Sequence, residues 1–377
     1  MKDLQITTTT ILLITTLFYS GICLHAQDYP TLEIGQAAPD FLLPGTDGKD
    51  YSLKDFDDSK FLVILFICNH CPTAQSYEDR MIQLVDDYQD KGVGFLAVSP
   101  NDPLSVRLDE MGYTDLGDDL EDMKIRAEYK KYNFPYVYDG ETQEMSREYG
   151  PVATPHVYIF DQERKLRYVG RIDDSEIAVR SDTKHDTRNA LEALLAGSPV
   201  PVAKTKTFGC SIKWSDKREA AKKAYEMILQ EEVTLEEIST EGVNALVQQK
   251  PKKLRLINVW ATWCGPCVTE FPDLVEINLM YRNRDFEFIS ISADKLANKE
   301  KVLEFLKNKH ASGSNYIFNG ADNYALIEAV DENWQGAIPY TMLIGSDGEI
   351  IYAQQDAIDP LEVKRKIVEV LGREKDW

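Results

Sequence analysis

Positive charge is in short supply in this chain. Forty-two lysines and arginines stand against 63 aspartates and glutamates over 377 residues, a formal net charge of −21. Phosphate recognition needs clustered cations, so nucleic acid is excluded as a partner, and nothing in the balance favours an anionic lipid surface. Cysteine is scarce as well, with six in all. A structural disulfide framework would show widely spaced, evenly numbered cysteines. Instead, beyond the first 26 residues they fall as Cys68 with Cys71, Cys264 with Cys267, and a lone Cys210. Apolar residues are not lacking: at 43% they suffice for packed cores and argue against widespread disorder. The length calls for two domains rather than one.

The amino terminus reads as an export signal over residues 1–26. Lys2 supplies a thin basic flank, Ile11-Leu12-Leu13-Ile14 through Leu24 the apolar stretch, and Leu24-His25-Ala26 a cleavage site. Cleavage gives an exported, periplasmic or extracytoplasmic protein with no stable membrane insertion. The alternative is a signal anchor in the inner membrane, since Ile6 to Ala26 is just long enough to span a bilayer. Ile22 is a poor residue before a lipid-modified Cys23.

What is present centres on Trp263-Cys264-Gly265-Pro266-Cys267. A buried-strand pattern, Leu254 to Trp260, precedes it. Val268, Phe271, Leu274, Val275 and Leu279 follow at helical spacing. Two cysteines three positions apart at a strand-to-helix turn form a redox pair rather than half a metal cage. The unpaired N–H groups and positive dipole end of the helix favour a thiolate at the first position. Pro266 starts the helix without sacrificing a hydrogen bond.

The same unit occurs twice. The strand pattern Phe61 to Ile67 leads into Cys68-Asn69-His70-Cys71-Pro72, then a helix with Met81, Ile82, Leu84 and Val85 on its apolar side, then a strand from Val93 to Val98. Phe286 to Ile291 is the matching second strand after Cys264, and Asp102 and Asp294 lie in the turns that follow each. Strand–helix–strand at this spacing is a right-handed crossover of a parallel sheet. Further on, Thr154-Pro155 opens the hairpin strands His156–Phe160 and Leu166–Val169, as Ile338-Pro339 opens Tyr340–Ile344 and Ile350–Ala353. A proline opening such a hairpin is where a cis peptide is plausible.

With these motifs in place, both halves resemble thioredoxin-fold domains, an α/β class with a central mixed sheet flanked by helices. The boundaries read are 28–213 for the first domain, 214–234 for a helical linker and 235–377 for the second. The second, with Trp-Ala-Thr-Trp-Cys-Gly-Pro-Cys at 260–267, resembles exported thioredoxin-like reductases that serve cytochrome c maturation and related thiol repair. The first resembles the peroxiredoxin-like (alkyl hydroperoxide reductase/thiol-specific antioxidant-like) branch, through Ala37 to Pro44, Asp47-Gly48 and Leu53 to Phe56.

The resemblance implies that Cys264 attacks a substrate disulfide and Cys267 resolves the mixed disulfide. It places Glu270 at the position of an active-site glutamate, as proton acceptor for Cys267, while Asn258 stands where cytosolic thioredoxins carry a buried aspartate. Trp263, Gly265, Pro266, Ile338 and Pro339 are then expected to meet protein disulfide clients. His70, Thr154 and Pro155 would do so in the first domain. No cofactor is implied. A membrane thiol reductase is the expected electron donor, and electrons are expected to pass from Cys264–Cys267 to Cys68–Cys71.

Cys68-Asn69-His70-Cys71 lacks the preceding tryptophan and the Gly-Pro. A histidine between the cysteines stabilises a thiolate and makes the pair more oxidising. Cys71 matches the peroxidatic position of peroxiredoxins, but Cys68 replaces that family's hydroxyl residue and Ile64 its upstream proline. Dithiol exchange is the main expectation and hydroperoxide reduction the alternative, with Cys210 as a possible resolving cysteine. Metal binding by Cys68, His70, Cys71 and Cys210 is a third reading, weakened because the side chains of His70 and Cys71, read as consecutive helix positions, diverge. Arg171, Asp173, Asp174 and His185 read as a solvated charge cluster or loop, with the rim of the first site as the alternative.

Overall fold

The computed structural model describes residues 29–176, 179–320 and 322–373. The expected signal segment, with Cys23, lies outside the described residues.

A small hairpin of β1 (Leu42–Pro44) and β2 (Asp50–Ser52) precedes the first sheet. Then follow β3 (Phe61–Phe66), α1 (Pro72–Ser76), α2 (Glu78–Tyr88), β4 (Val93–Ser99), α3 (Leu120–Lys130), β5 (Tyr136–Tyr138), α4 (Glu144–Tyr149), β6 (His156–Phe160), β7 (Leu166–Gly170) and α5 (Asp186–Leu195). The sheet order is β5-β4-β3-β6-β7, with β3, β4 and β5 parallel, β6 antiparallel to β3, and β7 antiparallel to β6. β3 reads Phe-Leu-Val-Ile-Leu-Phe because both of its faces are covered, Val63 and Leu65 joining one core cluster and Leu62, Ile64 and Phe66 the other.

After α6 (Arg218–Ile228) come β8 (Glu236–Ile238), α7 (Thr240–Gln248), β9 (Leu254–Trp260), α8 (Gly265–Tyr281), β10 (Phe286–Ser292), α9 (Lys299–Asn308), β11 (Ser314–Phe318), α10 (Asn323–Val330), β12 (Tyr340–Ile344), β13 (Ile350–Gln355) and α11 (Pro360–Leu371). Their sheet order is β13-β12-β9-β10-β11-β8. It repeats the first arrangement: a parallel crossover from the cysteine-bearing central strand, and an antiparallel hairpin on the other side. Both X-Pro bonds that open the hairpins, Thr154-Pro155 and Ile338-Pro339, are cis.

Two segments depart from the sequence reading. α6 is not a bare charged connector. Ala221 on it is buried, the helix packs on the turn at Pro103–Ser105, and Arg218 pairs with buried Asp102. The Arg171–His185 region is not simply solvated either. Asp173 is buried, accepting from the Tyr77 hydroxyl at 2.9 Å and pairing with Arg80 at 3.0 Å.

The loop between β4 and α3 meets both halves of the molecule. Leu108 and Met111 pack on the second domain's core. Tyr281 Oη donates to the Thr114 carbonyl at 2.6 Å, and Arg284 donates to that of Gly112 at 3.1 Å. Asp115, fully buried, pairs with Arg126 at 3.3 Å, with Arg365 of α11 at 3.2 Å and with Arg373 just beyond it at 2.7 Å.

Candidate functional site

Cys264 is the N-cap residue of α8, and its sulfur accepts from the Cys267 backbone N–H at 3.2 Å. The chain turns here because the central strand β9 reaches its carboxyl end and Pro266 supplies a preset φ for the first helical turn. Cys264 and Cys267 are joined in a disulfide, with Cα atoms 5.3 Å apart. Cys267 is fully buried and Cys264 6% exposed, beside a Trp263 that is 64% exposed. The Cys264 sulfur rests 3.5 Å from the carbonyl oxygen of Ile338, which precedes the cis proline. Thus the elements carrying Trp263, Gly265, Pro266, Ile338 and Pro339 converge around one sulfur at the protein surface.

Glu270 is buried one helical turn beyond Cys267. Its carboxylate accepts from Asn258 Nδ2 at 3.1 Å and from the Ile358 N–H at 2.9 Å, while Asn258 Nδ2 also donates to Thr341 Oγ1 at 2.9 Å. Burial pushes the Glu270 carboxyl above its ordinary range, and the two hydrogen bonds only partly offset that. A buried acid held in this way keeps a proton more readily than an exposed one. Asp294 fixes the approach to the motif, accepting from the Thr262 N–H and hydroxyl, each at 2.8 Å.

In the first domain the corresponding groups lie inside the protein. Cys68, Asn69, His70 and Cys71 are all buried, and Cys71 has no exposed surface. Cys68 and Cys71 are thiols. Cys71 is the N-cap of α1, and its sulfur accepts from the Ala74 N–H at 3.4 Å and donates to the Thr154 carbonyl at 3.2 Å. Cys68 lies 3.2 Å from the Thr154 hydroxyl. Thr154 also donates its backbone N–H to the Cys210 carbonyl at 3.0 Å. One residue before the cis proline thus ties together all three thiol-bearing segments.

Sequence reasoning missed Asp118, which organises this site. Its Oδ1 accepts from the backbone N–H groups of Asn69 (2.8 Å) and His70 (3.1 Å). Oδ2 meets His70 Nδ1 at 2.5 Å and Asn101 Nδ2 at 2.8 Å. Burial alone would discharge the imidazole, but the Asp118 charge beside it holds its pKa above the usual value, and the same pairing holds Asp118 below the carboxylate range. Burial opposes ionisation of Cys71 too. Hydrogen bonds from Cys210 and Cys68, the His70 charge and the Ala74 N–H overcome it and hold Cys71 well below the ordinary thiol range. Cys68 is held above that range by burial and by sharing with Cys71. Cys71 is the acidic member of the pair.

One trio of metal-ligating types, Cys68, His70 and Asp118, brings ligand atoms within 4.8 Å of one another. It differs from the expected set. His70 and Cys71 are not consecutive helix positions, since both precede α1, and the His70 ring turns to Asp118 rather than Cys71. Asp118 lay beyond reach of a spacing argument because it is 48 residues from His70 in an irregular loop. A carboxylate that accepts two backbone N–H groups and a histidine already has its lone pairs engaged.

Comparison with known proteins agrees with this geometry. Residues 34–169 match the AhpC/TSA family and residues 196–370 match the Redoxin family. The thiol-disulfide oxidoreductase ResA of Geobacillus thermodenitrificans is 24% identical over 196 residues, 51% of this chain and 98% of that protein. The thiol:disulfide interchange protein CycY of Rhizobium leguminosarum bv. viciae is 29% identical, over 32% of this chain and 60% of its own length. Among solved structures, an uncharacterized conserved protein from Geobacillus kaustophilus is 40% identical, covering 50% of this chain and 93% of its own, with a TM-score of 0.43. Each matched region holds a central sheet with a cysteine pair at the head of a helix and a cis proline, the second sheet carrying β8 as an added edge strand. The chain thus carries a match to the AhpC/TSA family in its first half and one to the Redoxin family in its second, and it is similar to proteins named thiol-disulfide oxidoreductases.

Proposed function

We propose that the chain is an exported thiol-disulfide oxidoreductase that reduces protein disulfides at Cys264–Cys267 and carries a second dithiol site at Cys68–Cys71. The observation that carries this reading is the disulfide between Cys264 and Cys267 at the N-terminus of α8, with Cys264 beside an exposed Trp263 and the Ile338 backbone. In the reduced protein the Cys264 thiolate attacks one sulfur of a client disulfide, and the other client sulfur leaves as a thiolate. Cys267 then loses its proton and attacks Cys264. The client's second thiolate is released, and the client has gained the two electrons that the pair has lost. Glu270, raised by burial, takes the Cys267 proton. A membrane thiol reductase fits as the donor that restores the dithiol, since an exported protein lacks the cytosolic reductants. Among the described residues no helix is long and apolar enough to cross a membrane. Domain limits of 28–213 and 235–377 with a linker at 214–234 fit this division of labour, and so does electron flow toward the first site.

The test is trapping. In full-length protein, Cys267→Ser should accumulate mixed disulfides through Cys264 with oxidised client proteins, and Cys264→Ser should not. Equal trapping by both variants, or by neither, overturns the assignment. A second reading, hydroperoxide reduction at Cys71, is favoured by one observation: an acidic sulfur with no exposed surface is reached more readily by a small oxidant than by a protein strand. Stoichiometric consumption of hydrogen peroxide by the wild type and none by Cys71→Ser would support it.

A further inference from the structure

In the second domain the residue before the cis proline, Ile338, is partly exposed, and the strand pairings of the described residues leave its edge open. The equivalent residue of the first domain is occupied. Residues 203–213 run as a strap across the end of the first sheet. Val169 donates its N–H to Ala203 and Thr205 donates to Val169, at 2.9 and 3.1 Å. The strap then crosses to Thr154, forming an antiparallel bridge at Cys210. It is closed by Asp102 N–H on the Lys213 carbonyl at 3.0 Å and Lys213 N–H on Asn101 Oδ1 at 2.9 Å.

Two glycines make room for it. A Cβ at Gly170 would lie 2.0 Å from Thr205 Oγ1, and one at Gly209 would lie 2.0 Å from the Thr154 carbonyl oxygen, with φ at +133°. An extended segment hydrogen-bonded to an exposed sheet edge is how a peptide is held by strand addition. Here the protein's own chain takes that place, and the residue paired with Thr154 is a cysteine beside two others.

We infer that the 203–213 strap is a built-in substrate, which lies along Thr154 as a client strand would and presents Cys210 to Cys71 as the client's cysteine. The inference rests on the reading of Cys71 as an exchanging sulfur. The Cys210 thiolate attacks the Cys71 sulfur of a Cys68–Cys71 disulfide. The bond to Cys68 breaks, the bond to Cys210 forms, and Cys68 leaves as a thiolate that takes up the proton Cys210 gave up. No electrons are gained or lost overall. The strap therefore excludes protein clients from the first site and gives Cys71 a second internal partner.

The experiment uses full-length Cys68→Ser oxidised with glutathione disulfide, followed by alkylation and peptide mapping. The expected product is a Cys71–Cys210 disulfide with glutathione released. A second variant, Gly209→Ala, crowds the strap away from Thr154; a bulky maleimide should then label Cys71 about tenfold faster than in the wild type, as expected when a covering segment opens. A Cys68–Cys71 disulfide in the wild type, together with glutathione persisting on Cys71 in Cys68→Ser, overturns the strap proposal alone. No disulfide at Cys71 in either protein overturns the reading of the site, and the strap with it.

Discussion

Asp115→Asn is the substitution whose consequence is most fully set by the geometry. The carboxylate is fully buried and meets Arg126, Arg365 and Arg373, the last two 27% and 24% exposed. Burial alone would raise its pKa. The Arg373 hydrogen bond and charge, with Arg126, win and hold it below the carboxylate range. Replacing it by an amide leaves three guanidinium groups facing a neutral acceptor. Breaking a buried ion pair from one side costs about 3–5 kcal/mol. Arg126 keeps its two bonds to Glu78, at 2.7 and 2.9 Å, and the other two arginines can turn to water, so the lower end, about 3 kcal/mol, applies.

Much of that loss should appear as uncoupling, because two of the three partners come from the second domain. Of the five tryptophans, Trp260, Trp263, Trp334 and Trp377 follow the linker, so fluorescence reports chiefly on that domain, while far-ultraviolet circular dichroism reports on both. In urea the two signals should move together in the wild type and separate in Asp115→Asn. A depressed carboxylate contributes its stability fully above its unfolded pKa and loses it as pH falls through the folded one. The variant should therefore differ most from wild type at neutral pH and converge with it in acid. Coincident transitions at the wild-type midpoint would refute the argument, and a deficit that grew on acidification would refute its sign.

Three further outcomes follow from groups described above. Glu270→Gln should slow resolution of the Cys264 mixed disulfide by about a hundredfold at neutral pH, and single-turnover rates unchanged between about pH 6 and 9 would remove Glu270 from proton transfer. Because burial raises Glu270, wild-type stability should decline as pH climbs from the unfolded toward the folded pKa, and melting curves of the Gln variant should lack that slope. Asp118→Asn removes the charge that raises the pKa of His70. Iodoacetamide labelling of Cys71 at pH 7 should slow by about tenfold, and an unchanged rate would dissociate Cys71 acidity from the pair. Asp139 is pushed up to about 6 by burial while accepting from Ser146 N–H at 2.7 Å. Wild-type stability should accordingly drop between about pH 4 and 6, and an Asp139→Asn protein that kept the drop would place its origin elsewhere.

The central strands, the crossovers and the hairpins were readable because each is a short apolar run bounded by turn residues, and because the order recurs. β9 and β12 span the residues the pattern marks, Leu254–Trp260 and Tyr340–Ile344. Convergence of Ile338 with Cys264 was readable through the cis-proline position. Asp118 was not, since an aspartate in the loop run Gly117-Asp118-Asp119 looks like solvated charge until the fold closes over it. The occupied edge at Thr154 was equally hidden: spacing places Cys210 near the end of its domain but says nothing of which strand end it crosses. Asp173 was misread for the same reason, its burial depending on Tyr77 and Arg80, roughly a hundred residues away in sequence.

The loop from residue 106 to 118 answers to two interiors at once. One side holds the Cys68–Cys71 segment through Asp118, and the other seats Leu108 and Met111 among second-domain side chains. Severing the chain at the linker would strip that second side of its cover and bare greasy surface on the same loop that holds the Cys68–Cys71 segment. A truncated amino-terminal fragment would then tend to self-associate through this bared side.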